Sequence, residues 1–102
     1  MKTQNIPMSV IAGRALAGIL KRERAQAFNG ANLTQLKKFR NEMAKLPSDL
    51  DKAHEIVQEK MWEIAEDHHL ISLAGDTLTA EENLQAEMIS AMQVYLEYML
   101  DN

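Results

Sequence analysis

Residues 48–74 read SDLDKAHEIVQEKMWEIAEDHHLISLA. Within this stretch Leu50, Ala53, Val57, Met61, Ile64, His68 and Ile71 recur at the three- and four-residue intervals of a single helical stripe. Ser48, with Asp51 three residues on, is the expected start, and Gly75 the expected stop. The result is a helix of about 27 residues, or ~40 Å at the usual rise.

Working outward, Thr79 and Glu82 have capping-box spacing and open a further helix that runs nearly to the C-terminus. Upstream, Asn32 is placed to cap a helix with Gln35 three residues later. Leu33, Leu36, Phe39, Met43 and Leu46 line one face of that helix, and Pro47 ends it. A first helix is expected from Pro7 or Met8 to Phe28, with Asn29-Gly30 as its left-handed stop. No segment shows sustained strand alternation, no repeat is visible, and the connections are short. The expected fold is all-α: residues 1–102 as one compact bundle of about four helices, the two long C-terminal ones forming an antiparallel hairpin.

The chain has 102 residues, enough to bury roughly 65% of its unfolded surface without covalent staples. It has no cysteine, which excludes disulfides, thiolate zinc sites and a cysteine nucleophile. Arg14, Lys21, Glu63, Glu66 and Glu97 interrupt the apolar stretches before any approaches the ~20 residues that span a bilayer. Lys2, Gln4, Asn5 and Pro7 do not lead into the apolar core of a signal peptide. The expected location is cytoplasmic, with no membrane partner.

The net charge of −4 conceals a division. Residues 1–47 hold nine Lys or Arg against Glu23 and Glu42, and residues 48–102 hold Lys52 and Lys60 against thirteen acids. The chain has a basic half and an acidic half.

Both long helices carry more apolar surface than one core face explains. Trp62, His69 and Leu73 form a second stripe on the third helix, among Glu55, Glu59 and Glu66. On the fourth helix Leu84, Met88, Ala91, Tyr95 and Tyr98 or Met99 make one face, while Ile89, Leu96 and Leu100 lie well around the cylinder. A bundle helix needs an apolar arc of little over ~100°, and this one covers roughly twice that. Exposing a Trp of roughly 200 Å² forgoes on the order of 3–5 kcal/mol. Three covers are conceivable: the two N-terminal helices, a second copy, or a foreign protein. The expected interface is Trp62, His69, Leu73, Ile89, Leu96 and Leu100.

In the basic half, Arg14, Lys21, Arg22 and Arg24 share a broad face of the first helix, and Lys37, Lys38 and Lys45 line the second. These are candidate phosphate contacts for a nucleic-acid-binding regulator. The loop Asn29-Gly30-Ala31-Asn32 gives a loose helix-turn-helix outline, but Gln26 and Asn29 stand where such motifs place small or apolar packing residues. The acids at 49–67 offer a further option, imitation of a phosphate backbone to block a DNA-binding protein.

Chemistry is sparse. Glu66 with His69 and Asp51 with His54 have metal-pair spacing, but both pairs lie on one helix about four turns apart, so they cannot form one centre. His54 and His68 sit on or near the apolar stripe as hydrogen-bonded core residues. A phosphate-cradling glycine loop, a nucleophile elbow and a zincin helix are all missing, and the acidic pairs have no matching motif on another helix, as a metal- or acid-dependent hydrolase would want. The expectation is a non-catalytic interaction, regulatory or inhibitor protein, without cofactor or metal, that associates with itself or another protein through the second stripes.

Overall fold

The computed structural model of the protein describes residues 6–25 and 30–101, with the side chains of 23–25 and 30–32 outside that description. Among the described residues there are five α-helices and no strand: α1 (Met8–Ala15), α2 (Ala17–Ala25), α3 (Gly30–Met43), α4 (Leu50–Leu73) and α5 (Ala80–Asp101). The all-α bundle with a long C-terminal hairpin is therefore observed, with α1 and α2 in place of a single first helix.

The interruption falls at Leu16, which keeps near-helical angles (φ −89°, ψ −3°). Its amide donates to the Ala12 carbonyl at 3.0 Å, and its own carbonyl accepts from Leu20 at 2.9 Å. Gly13 and Gly18 flank the break, and glycine is a poor helix former. Earlier in α1, Arg40 Nε donates to the Ser9 carbonyl at 2.9 Å. The Arg40 guanidinium lies 3.3 Å from where a Cβ on Gly13 would stand, so the missing side chain lets α3 tie itself to α1.

The helix ends follow local rules, with small shifts from expectation. Gly30 is the first residue of α3, and the expected helix end at Phe28 with its stop at Asn29 lies outside the described residues. After Met43, single-turn bonds from Lys45 to Glu42 and from Leu46 to Met43 tighten the chain ahead of Pro47. Asp49, not Ser48, caps α4: its carboxylate accepts from the Asp51 amide at 2.9 Å and the Lys52 amide at 3.3 Å. A carboxylate at this position also meets the positive end of the helix dipole, which a hydroxyl does less well. Gly75 closes α4 at φ +82°, where its amide donates to Ser72 and the Asp76 amide to Ile71, a Schellman motif. The capping box at α5 forms in both directions: the Glu82 amide donates to Thr79 Oγ1 at 3.1 Å and the Thr79 amide to Glu82 Oε1 at 2.8 Å.

The core is wholly apolar among the described residues and has α5 at its centre. That helix packs against α4, α1 and α3, whereas α4 has its main contact with α5 alone. His54 near the start of α4 meets Glu97 near the end of α5, Nε2 to Oε1 at 3.2 Å, which fixes the pair as antiparallel. Gln35 of α3 donates to the Glu81 carbonyl at 2.9 Å, and Arg22 of α2 pairs with Glu87, so α3 and α2 reach the first half of α5.

This arrangement corrects the expected division of α5. Leu84, Met88, Ile89, Met92, Leu96 and Met99 are all buried, and Leu100 packs partly buried against them. Ile89 and Leu96 thus belong to the chain's own core and offer no outward stripe. Of the two alternatives for the end of the first face, Met99 is the buried one and Tyr98 is exposed. Because α5 has neighbours on more than one side, its buried arc lies between the two stripes that periodicity separated.

Truncating Leu96 to Ala should cost about 3 kcal/mol, within the range for a fully buried leucine, read as a lower urea midpoint. Thr79→Ala should cost about 1 kcal/mol through the lost cap. The Thr79 amide, and after it the Thr79 hydroxyl, hold the Glu82 carboxyl below its ordinary value of 4.5. A depressed carboxyl stabilises the fold above the unfolded value, and that contribution is lost as pH falls through the folded value. An NMR pH titration should find Glu82 titrating low, and should find it moved upward in Thr79→Ala.

Candidate protein-interaction surface

Having one main neighbour gives α4 an asymmetric fate. Its fully buried residues, Leu50, Ala53 and Val57, all lie in its first third. Beyond Val57 the core stripe continues as the half-buried Met61, Ile64, His68 and Ile71. The opposite side of the helix is left to solvent.

That outer face carries Trp62, 61% exposed, Leu73, 71% exposed, and the exposed His69. At 100° per residue Asp51, Glu55, Glu59 and Glu66 fall with them in an arc of about 80°. All four acids are exposed. Three of the six expected interface residues therefore form one continuous surface, a Trp set among carboxylates. Leu70, beside Leu73, is a further exposed apolar residue that periodicity did not single out, since it lies at the edge of the arc.

A second apolar surface was not expected. Between α1–α2 and α5 runs an open groove lined in part by Ile19, Ala91, Val94 and Tyr98, with Arg14 and Arg22 at its edge. Val94 and Tyr98 are about as exposed as Trp62, and the Tyr95 and Tyr98 rings lie 6.1 Å apart, tilted at 33°. The groove exists because α5 is wider in its apolar arc than α1 can cover. Four-residue spacing of Val94 and Tyr98 was the available sequence signal.

The candidate phosphate contacts are dispersed. Arg14, Lys21, Arg22, Lys37, Lys38 and Lys45 are exposed, and the side chain of Arg24 lies outside the described residues, as do Gln26 and Asn29 of the helix-turn-helix outline. Arg22 is engaged by Glu87, and Lys38 lines a shallow depression together with Glu42 and Glu81. Acids from α3 and α5 thus interleave the basic surface.

The possible metal pairs stay apart. His54 of the first pair turns to Glu97, and no group of three or more His, Cys, Asp or Glu placed to hold a metal occurs among the described residues. Nor does any helix among them have the length and apolarity to cross a membrane. Comparison with known proteins leaves the reading to these residues: no protein-family model matches the chain, and neither a curated protein nor a solved structure does.

Proposed function

We propose that the protein is a non-catalytic interaction protein that works by presenting the outer face of α4 to a protein partner. One observation carries this reading. The chain keeps its single tryptophan 61% exposed within a row of carboxylates, while it buries no polar or charged side chain among the described residues. A domain that segregates its groups so completely has a large stability incentive to bury Trp62, and a partner supplies that burial. Aromatic anchors ringed by polar groups are the usual centres of binding energy.

Nucleic acid, the other partner that the basic half suggests, draws less support. A phosphate track needs a continuous positive strip, whereas Glu87, Glu42 and Glu81 stand among the basic side chains. Titration with labelled duplex or single strand at low salt should give no shift.

Replacing Trp62 with Glu should leave the far-ultraviolet helical signal unchanged, because the side chain supports no core contact. With the chain immobilised against an extract of the cell that makes it, at least one retained protein, the chain itself included, should be lost in Trp62→Glu. Identical retained sets for the two proteins would overturn the proposal.

A further inference from the structure

We propose that the occupant of the α4 outer face is a second copy of this chain, which receives it in the groove between α1–α2 and α5. The inference rests on the interaction reading above and adds the identity of the partner.

Charge disfavours the simplest self-pairing. Two α4 faces meeting antiparallel about a two-fold axis at Trp62 would set Glu59 of each copy beside Glu66 of the other, at a repulsive cost. The face therefore calls for a receptor that is apolar at its centre and basic at its edge. The chain carries one. Ile19, Ala91 and Val94 give the groove an apolar lining, Tyr98 offers an aromatic side to Trp62, and Arg14 and Arg22 line it as well, with Glu87 as the one carboxylate among the described lining residues, already paired with Arg22.

Spacing agrees as well as sign. Arg14 and Arg22 lie eight residues apart, about 12 Å along a nearly continuous helix, and Glu59 and Glu66, which bracket Trp62, lie seven apart, about 10.5 Å. A helix laid along the groove brings both carboxylates to both guanidiniums with the indole between them. Arg22 retains donors for a second carboxylate beside Glu87, since a guanidinium has five. Gly18 stands between the two arginines on the same side of the helix, with open space where a side chain would project. The bare backbone at this point leaves room for an incoming helix.

Face and groove are different patches, so each copy gives a face to one neighbour and a groove to another, a heterologous contact, or exchanges both with a single partner about a two-fold axis. This permits a test with half-molecules. A face variant, Glu59→Lys with Trp62→Ser, retains only its groove. A groove variant, Arg14→Glu with Arg22→Glu, retains only its face and the single tryptophan. Light scattering behind a sizing column should give wild type a mass at least twice that of one chain, falling as salt rises. Each variant alone should run as a monomer, and an equimolar mixture should recover an assembly of two copies and no more. In that mixture Trp62 fluorescence belongs wholly to the groove variant, and it should shift to shorter wavelength and lose its quenching by acrylamide. Gly18→Leu, which keeps every charge and enters open space, should fold and fail to assemble.

A wild type that stays monomeric with solvent-exposed Trp62 emission would overturn the proposal, as would variants that assemble alone or a mixture that does not assemble. If the wild type is monomeric but its capture of a foreign protein still depends on Trp62, the second copy is wrong and the interaction reading stands. If Trp62→Glu changes neither mass nor capture, both fall.

Discussion

Burial of α5 by neighbours on more than one side is the constraint from which the other features follow. Met92 and Leu96 at its middle are 0% exposed, and the residues buried around them come from α1, α3 and α4. A helix with one neighbour needs an apolar arc of about 100°, and a second neighbour on another side widens it. Placing α5 at the centre leaves α4 on the outside with a single neighbour. The two helices carry the same sequence pattern, a core stripe and a second apolar set at seven- and eleven-residue spacing, yet on α5 the second set is core and on α4 it is surface.

Features that depend on residues close in sequence were legible. The capping box of Thr79 and Glu82 and the glycine stop at Gly75 are each complete within six residues, so their physics is contained in the local sequence. The cap of α4 was displaced by one residue because Ser48 and Asp49 compete for the Asp51 amide and the carboxylate is the better acceptor beside a helix dipole. The tie from Arg40 to the Ser9 carbonyl was not legible, since its two partners lie 31 residues apart.

The same distinction governs the candidate surface. Trp62, His69 and Leu73 were found because a helix face is a local property. Ile89 and Leu96 were misassigned because periodicity reports that a face is apolar and not which neighbour covers it. The groove was missed for a related reason: its floor joins Ile19 to Val94 and Tyr98, residues brought together only by packing of α1 and α2 on α5. Methionine use follows the same logic. Met8, Met43, Met88, Met92 and Met99 are buried, so these flexible side chains fill the irregular space where helices of different directions meet.

Packing also converts a division of charge along the sequence into a division in space. The ion pairs between described residues engage Glu87 and Glu97, on α5, and none of them engages the acids on the outer face of α4. Had α4 packed on α1 and α3, the basic and acidic halves would have neutralised each other internally. Instead α5 stands between them, its Glu81 and Glu87 reaching the basic helices, and the molecule presents a carboxylate-rich face on α4 and a groove lined by Arg14 and Arg22 beside α1 and α2. Charges so separated add little to the stability of one chain, because exposed groups far apart are screened. Their strongest effect falls on encounter, where opposite patches orient approaching molecules before contact and reject like-charged faces. On the proposed interaction, the charge pattern therefore belongs to how this surface would select a partner more than to how the bundle holds together.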